Sequence, residues 1–333
     1  MKGKTTMQEL RTENRAPLMP MMQGAFSIAQ SPTLEDLGQR FLTFADIAPS
    51  SIKTYAKSLS VFFDWLRCRG EANPTRETLI AYRQDMIATR KPTTAASYIN
   101  AIKQFFKWLA FEGIAATNIA EHLKGAKMPK GFRKDALTEG QAKDLVSAID
   151  TSTLEGKRDL AIIALATTGA LRTIEIARAN IEDMRPQGGY MALFVQGKGR
   201  TDKSEIIKVS DQVERLIRAY LSERGEQDPK APLFASLSDR NNGGRLTTNS
   251  VSRIVKNRLR ACGLDSDRLT AHSLRHTGIT LALLHGSTLA EAQQMARHSS
   301  INTTMIYNHA IERANNQSEE RTTAAIFGER KAD

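Results

Sequence analysis

Two segments of this chain carry the same apolar pattern, which limits the folds open to its first half. They are YAKSLSVFFDWLRCRG from Tyr55 and YINAIKQFFKWLAFEG from Tyr98. Each has Phe-Phe seven and eight residues after the tyrosine, Trp-Leu at ten and eleven, and glycine at fifteen. This spacing predicts two helices with the same buried stripe, ending at Gly70 and Gly113. We interpret the repeat as shared core patterning within one bundle, in preference to gene duplication.

The rest of the chain divides around this bundle. At 333 residues it is too long for one typical domain and fits two. Residues 1–30 lack periodicity and are interpreted as a loosely ordered arm. SPTLEDLGQRFLTF, from Ser31, has an N-cap candidate and a proline in its first turn, so a helical bundle is predicted over residues 31–125. A basic linker, residues 126–136, follows, and a capping-box pattern at Thr138 opens the second domain.

The charge of the chain points to a polyanionic partner. Lys and Arg outnumber Asp and Glu by 47 to 36, which gives a formal charge of +11. The excess is spread along the chain, as in a protein that embraces a duplex, although a merely basic protein is the alternative. No apolar run approaches the length of about 20 residues that a membrane helix needs, and no signal peptide is evident, so the cytoplasm is expected. Cys68 and Cys262 have no metal-ligand or disulfide spacing.

The second half is predicted to be mainly helical, with one β-hairpin. GKRDLAIIALATTGAL is apolar enough for a central buried helix. GYMALFVQGKGRTDKSEIIKVS has two β-forming runs around GKGR, which places Lys198 in or beside the hairpin tip. In SVSRIVKNRLRACG, three basic residues share a helical face: Arg253, Lys256 and Arg260. The basic residues selected as DNA contacts are Lys53, Lys57, Lys103, Lys130, Arg133, Arg253 and Lys256.

Several polar residues of this half need a chemical explanation. His272 and Arg275 are three apart on a predicted helix, so their side chains share a face. The adjacent His276 is predicted to point elsewhere, as a packing or surface histidine. Arg172 follows an almost wholly apolar helix and a glycine, with Glu175 three residues later. Either these two form a surface ion pair, or Arg172 serves a site.

Taken in order, these residues resemble the tyrosine recombinase (phage integrase) family, which includes Cre, the Xer recombinases and lambda integrase. The family's order is Arg, Lys, His-x-x-Arg, His or Trp, then Tyr. This chain has Arg172, Lys198, His272, Arg275, His298 and Tyr307, the last two nine residues apart as in the family. The resemblance implies a mainly α fold of two domains. These are a SAM-like core-binding bundle over residues 31–125 and a mainly helical catalytic domain over residues 137–310 with a small hairpin or sheet.

The resemblance also assigns the phosphate chemistry. Arg172 and Arg275 would clamp the non-bridging oxygens of a phosphodiester in fixed bidentate geometry. Tyr307, whose phenol is expected to keep an ordinary pKa near 10, would be the nucleophile. A phenol of that pKa attacks slowly unless a base or a positive field assists it. The set therefore implies covalent attack by an activated tyrosine.

The remaining members of the set would assist this attack. His272 is the candidate for activating the phenol, and Lys198 would protonate the leaving 5′ oxygen as the general acid. His298 would contact the phosphate or orient the nucleophile, and Glu175 would hold Arg172 in place. No metal and no cofactor are expected, because no nucleotide-binding or metal-ligand motif is present.

The implied function is site-specific recombination of double-stranded DNA. The two domains would close on the duplex as a C-shaped clamp. Four protomers on two sites would exchange strands through a 3′-phosphotyrosyl intermediate and a Holliday junction. Residues 311–333 would either dock on a neighbouring protomer or form a disordered tail. The DNA site, the biological task and any accessory DNA-binding factors stay open; the short arm favours a simple recombinase of the Xer or transposon type.

Two departures from the family pattern and two other functions remain. Arg297 stands where the family usually has glycine, and TGALR has one residue more than TGLR, which displaces Arg172 unless the turn absorbs it. A type IB topoisomerase would use the same residues to nick and reseal one strand. A non-catalytic DNA-binding regulator would retain the fold alone. The helical first domain and the tail favour the recombinase, and the complete residue set speaks against the regulator.

Overall fold

The computed structural model describes residues 32–127, 134–197 and 200–328 of the chain. It separates into two compact units, Met1–Met128 and Pro129–Asp333, each with its own apolar core. The predicted arm, residues 1–30, lies outside the described residues, and so do residues 128–133 of the predicted linker. In the described ranges, no helix combines the length and the apolar character needed to cross a membrane.

The first unit is a bundle of helices in which the two repeated segments pack against each other. Its helices are α1 (Leu34–Phe44), α2 (Pro49–Cys68), α3 (Arg76–Thr89) and α4 (Pro92–Phe111). Phe62 of the first repeat and Phe105 of the second are fully buried in one aromatic core. Gly70 and Gly113 follow α2 and α4 with φ of +65° and +70°, a left-handed conformation that glycine adopts without steric penalty. The prediction of two equivalent helices that end at glycines is confirmed.

The start of α1 differs from the prediction. Pro32 precedes the helix instead of lying in its first turn, and Thr33 is the N-cap. The Thr33 hydroxyl accepts from the Asp36 N–H at 3.1 Å, and the Asp36 carboxylate accepts from the Thr33 N–H at 3.0 Å. This reciprocal pair satisfies two backbone donors at once, which explains why the helix begins at Leu34. The capping box predicted at Thr138 is confirmed, with both of its hydrogen bonds formed to Gln141.

The second unit surrounds a central buried helix and carries a small sheet. Two short 3₁₀ segments, Ile181–Asp183 and Asp239–Asn241, complete it. Its helices are α5 (Glu139–Ser147), α6 (Leu154–Thr168), α7 (Thr173–Arg178), α8 (Asp211–Arg224), α9 (Thr248–Ala261), α10 (Ala271–Leu284), α11 (Leu289–Ala296), α12 (Ile301–Ala314) and α13 (Ser318–Phe327). Its strands are β1 (Met184–Gln187), β2 (Tyr190–Val195) and β3 (Glu205–Val209). The predicted central helix is α6, most of whose residues are buried.

The sheet contains the predicted hairpin and one strand that the sequence did not indicate. β2 and β3 pair antiparallel, with Val195 opposite Glu205, so the hairpin loop spans residues 196–204. β1 pairs with the other edge of β2. Its sequence, MRPQ, is followed by two glycines and resembles a turn. An edge strand tolerates Pro186 because no further strand pairs with its outer edge, so the N–H that proline lacks is not needed there.

A close contact between α6 and α10 brings the polar residues of the second half together. At Gly278 on α10, a Cβ atom would lie only 1.9 Å from the Thr167 carbonyl oxygen on α6. Only glycine permits this approach without a shift of the backbone. The contact sets the His272 turn of α10 beside the turn that follows α6, where Arg172 lies.

Candidate active site

The turn between α6 and α7 contains the extra residue of TGALR. Ala170 adopts φ of +46°, a left-handed conformation that is uncommon for a non-glycine residue. The chain reverses there and places Arg172 at the N-cap of α7. The Arg172 side chain is 29% exposed and is thus the guanidinium of the site that remains partly open to solvent.

Glu175 forms an ion pair with Arg172, and the Glu175 side chain is completely buried. Its carboxylate accepts from the Arg172 backbone N–H and from Nη1 of the same arginine, both at 2.8 Å. Nη2 of Arg297 donates to it as well, at 2.8 Å. Burial raises the pKa of the Glu175 carboxyl, but the charge of Arg297 and the bonds from Arg172 outweigh burial and leave the pKa below its ordinary value. Arg172 and Glu175 do form an ion pair, but the alternative that it lies at the surface is wrong, because the carboxylate is buried.

Arg275 is the buried member of the arginine pair, with only 2% of its surface exposed. Its guanidinium donates from Nη1 to the Ala170 carbonyl and from Nη2 to the Ala296 carbonyl. These bonds tie α10 to the turn before α7 and to the end of α11. Burial and the nearby charges of Arg172 and Arg297 lower the pKa of Arg275 to about 10, so the group stays cationic at neutral pH.

Two histidines on α10 reach the neighbourhood of Tyr307. The rings of His272 and His276 are 4.6 Å apart, and the His276 ring lies 5.2 Å from the Tyr307 ring. The prediction that His276 points elsewhere is wrong, because its ring contacts both His272 and Tyr307. Of the two roles predicted for it, packing and surface, the buried ring fits packing. Burial and neighbouring positive charge lower the pKa of His272, and they lower the pKa of His276 to about 4. Both imidazoles are therefore neutral at pH 7 and able to accept a proton.

Tyr307 lies on α12, with 5% of its surface exposed. Burial raises the pKa of its phenol to about 12, although the charge of Arg275 acts in the opposite direction. The expectation of an ordinary pKa near 10 is thus wrong. The SSINTT stretch forms the turn and the first residues of α12, which begins at Ile301. A buried phenol of this pKa needs a base before it can attack.

His298 stacks beside the tyrosine, with ring centroids 6.3 Å apart. Its Nδ1 pairs with the Thr304 hydroxyl at 2.9 Å, and its carbonyl accepts from the Gln293 amide at 3.1 Å. Burial and the charges of Arg275 and Arg172 lower its pKa to about 4. The ring is therefore neutral and held in orientation by α12 itself.

The remaining predicted residues divide into three groups. Lys198 lies outside the described residues, and so do Lys130 and Arg133. Lys53, Lys57 and Arg253 are exposed on helices, and Lys103 is half-buried. Lys256 does not match a free DNA contact: its ammonium donates to the Ser266 carbonyl at 2.7 Å and pairs with Asp265 at 2.9 Å. On this face of α9, Lys256 therefore bonds to the loop that follows the helix, whereas Arg253 is exposed.

The arginines, the histidines and Tyr307 together form a cluster suited to binding an anion. Arg172, Arg275 and Arg297 bring three positive charges to one buried carboxylate, Glu175, and each of these charges influences its neighbours. Such an excess of positive charge favours a bound anion. The described ranges hold no cluster of three or more His, Cys, Asp or Glu residues able to bind a metal ion. The donors suit a phosphodiester held between guanidiniums, with a phenol and neutral imidazoles beside it.

Solved structures share this architecture. The crystal structure of XerH bound to palindromic difH substrate in a post-cleavage complex matches with a TM-score of 0.67 at 21% identity, over 82% of this chain and 79% of that one. A lambda integrase tetramer bound to a Holliday junction matches with a TM-score of 0.64 at 18% identity, over 84% and 78%. The fold is that of the tyrosine recombinases.

Sequence comparison extends this likeness from the fold to the family. The model of the phage integrase family matches residues 135–313, and that of the phage integrase N-terminal SAM-like domain matches residues 35–114. The Synechocystis protein named tyrosine recombinase slr0733 is 30% identical over 278 residues, 78% of this chain and 86% of that protein. The chain therefore belongs to the phage integrase family. The predicted enzyme class, a tyrosine recombinase that breaks and rejoins DNA, is confirmed.

Proposed function

We propose that this chain recombines specific DNA sites through a covalent 3′-phosphotyrosyl intermediate on Tyr307. The observation that carries this proposal is the arrangement of two guanidiniums, Arg172 and Arg275, on the turn and the helix that face the buried phenol. The XerH and lambda integrase structures, solved on a recombination substrate and on a Holliday junction, support it by analogy.

In the cleavage step the two arginines hold the scissile phosphate while Tyr307 attacks it. The raised pKa of Tyr307 makes a base necessary. We assign this role to neutral His272, with the His276 ring, which contacts both His272 and Tyr307, as the relay. The tyrosine oxygen forms a bond to phosphorus as the bond to the 5′ oxygen breaks, and Lys198 gives that oxygen a proton. His298 steadies the phosphate or the phenol. Loss of one such preorganised donor slows the step by about 10² to 10³.

Rejoining is the reverse reaction with a different strand. The 3′-phosphotyrosine keeps the energy of the broken phosphodiester, so a free 5′-hydroxyl can attack it without ATP. A second round of exchange then resolves the Holliday junction. The first unit, as a core-binding domain, and the second, as the catalytic domain, would both contact the duplex. Exposed Lys53, Lys57 and Arg253 are the basic side chains best placed for phosphate contacts.

Assembly to four protomers on two sites is part of the proposal. The tail after Tyr307 contains the helix α13, whose Ile326 and Phe327 are exposed to solvent. An exposed apolar pair at the end of a short helix is well suited to docking on a neighbouring protomer. The helix over residues 318–327 supports docking over the alternative of a disordered tail.

A nicked suicide substrate tests the chemistry. Wild-type protein should accumulate a covalent DNA adduct, and Tyr307→Phe should form none. A plasmid with two recombination sites then separates the recombinase from a type IB topoisomerase. Exchange of the flanking segments supports the proposal, whereas relaxation of supercoils without exchange supports the topoisomerase. Absence of an adduct with wild-type protein would exclude both enzymes.

A further inference from the structure

We propose that Arg297 is a positioning residue for strand cleavage, because it joins the Glu175–Arg172 pair to the base of the hairpin that carries Lys198. The inference rests on the proposed function and concerns a residue that the family pattern replaces with glycine. Arg297 would act through other residues and would not touch the phosphate.

The backbone at Arg297 does not explain the choice of arginine. The residue caps α11 with φ of +53° and ψ of +46°, a left-handed conformation in which glycine is favoured. Among the described residues, Ala170 is the other non-glycine residue with positive φ. An arginine in this backbone conformation needs stabilising side-chain contacts to offset the strain, and the structure shows those contacts.

The side chain of Arg297 reaches back to the turn that positions Arg172. It is 8% exposed. Nη1 donates to the carbonyls of Gly169 at 3.1 Å and Met295 at 2.8 Å. Nη2 donates to the Ala170 carbonyl at 3.1 Å and to Glu175 at 2.8 Å. Both terminal nitrogens bond to groups inside the protein, so the guanidinium stabilises the turn and the carboxylate that position Arg172.

The two departures from the family pattern therefore contact each other. The TGALR turn includes Ala170 in a left-handed conformation, and the Ala170 carbonyl accepts from both Arg275 and Arg297. Arg297 also contributes to the low pKa of Glu175, which keeps the carboxylate charged beneath Arg172. The arginine thus secures the turn that contains the extra residue.

The second link of Arg297 leads to the hairpin. Its Nε lies 3.4 Å from Oε2 of Glu205, the first residue of β3. The other oxygen of Glu205 accepts from Arg200 Nε, across the hairpin loop, at 3.1 Å. At Gly197, next to Lys198 in sequence, a Cβ atom would lie 2.6 Å from the same carboxylate. Glu205 therefore packs against the residue that precedes Lys198.

The contact between Arg297 and Glu205 joins two buried atoms. Both Arg297 Nε and Glu205 Oε2 are buried, and neither has a hydrogen-bond partner within the described ranges. The 3.4 Å between them makes an ion pair that is longer than an ordinary hydrogen bond. One side chain thus links the Glu175–Arg172 pair to Glu205 at the base of the hairpin.

The test compares Arg297→Met, Arg297→Gly, Arg297→Lys and Glu205→Gln with wild-type protein. The readouts are the single-turnover rate of adduct formation on a suicide substrate, the Kd for the same DNA, and Tm. The control is Arg218→Met, which breaks the exposed Arg218–Glu214 pair on α8, outside the site. Misplacement of a catalytic group by about 1 Å costs on the order of 100-fold in rate.

Arg297→Met and Arg297→Gly should cleave about 100-fold more slowly while Kd stays within about twofold, and Arg297→Lys should recover at least about tenfold of that loss. Arg297→Gly matters because it relaxes the backbone and removes only the side chain. Glu205→Gln should cleave about tenfold more slowly, and combining it with Arg297→Met should add little, since both changes break the same link.

Cleavage by Arg297→Gly at the wild-type rate would overturn the inference. So would a loss of DNA binding as large as the loss of rate. If Arg297→Met does not fold, Glu205→Gln decides the matter: an unchanged rate contradicts the link to the hairpin. Failure of wild-type protein to form an adduct would instead refute the proposed function, and this inference with it.

Discussion

In the proposed reaction Arg172 and Arg275 have the same chemical role, but the two arginines should differ in their effect on stability. Arg275 is fully buried and donates to two carbonyls, whereas Arg172 is partly exposed and bonded to one carboxylate. Lysine keeps the positive charge of either residue but cannot reproduce the planar fork. We therefore compare Arg275→Lys with Arg172→Lys.

The magnitude follows from what each change leaves unpaired. In Arg275→Lys a single ammonium cannot replace both bonds; the Ala170 carbonyl keeps Arg297, but the Ala296 carbonyl loses its donor. A buried acceptor left unsatisfied costs about 1–3 kcal/mol. For a unit of about 200 residues, each kcal/mol lowers Tm by roughly 2–4 °C, so a fall of about 2–12 °C is expected.

In Arg172→Lys the Glu175 carboxylate keeps the backbone N–H of residue 172 and Arg297. The loss of stability should stay below about 1 kcal/mol, or under roughly 4 °C in Tm. Both variants should cleave about 10² to 10³ times more slowly, because each loses a bidentate donor to the phosphate.

Calorimetric melting and single-turnover cleavage of a suicide substrate, run on the same preparations, measure both effects. Arg218→Met serves as the control for a broken surface pair. An Arg275→Lys protein that melts with wild type would refute the reasoning, as would an Arg172→Lys protein that loses more Tm than Arg275→Lys.

Three further predictions address the hairpin, the buried histidine and the helix contact. Lys198→Ala should lose most of its cleavage rate on ordinary DNA. It should regain that rate on DNA with a 5′-bridging phosphorothiolate, because a thiolate leaves without protonation. Equal rate defects on both substrates would contradict the general-acid role. The pKa of His276 is about 4 in the folded protein and about 6.5 in the unfolded chain, so the stability it contributes is complete above pH 6.5 and falls by about 2 kcal/mol at pH 5. Between pH 7 and pH 5, the Tm of His276→Gln should therefore fall less than the Tm of wild-type protein. Parallel Tm curves for the two proteins would contradict this prediction. Gly278→Ala places a methyl group against the Thr167 carbonyl and should destabilise the fold by about 1–3 kcal/mol; an unchanged Tm would show that α6 and α10 separate freely.

The features that sequence predicted correctly are those with local causes. A buried stripe recurs at helical spacing, and a glycine ends a helix through its own backbone freedom, so α2 and α4 were predictable from Tyr55 and Tyr98 onward. The order of the polar residues in the second half indicated the family without any knowledge of their geometry. The hairpin around GKGR was predicted in the same way from two β-forming runs.

The features that sequence missed depend on contacts between distant segments. Arg297 donates to the Gly169 and Ala170 carbonyls, 128 and 127 residues away. The local sequence ARHSS does not predict those partners. His276 was assigned by its position next to Arg275, but the packing of α12 turns that side of α10 into the interior. The pKa of Tyr307 rises because of burial, which its polar surroundings in sequence concealed.

The identity of the residue that carries the DNA is the central claim, and one mass measurement tests it. Trypsin cuts after Arg297 and after Arg313, which gives a peptide whose one tyrosine is Tyr307. Digestion of the adduct formed on a suicide substrate, followed by nuclease trimming and fragmentation, should place a 3′-linked nucleotide on Tyr307 in that peptide. A nucleotide on Ser299, Ser300 or any residue outside the peptide would contradict the account.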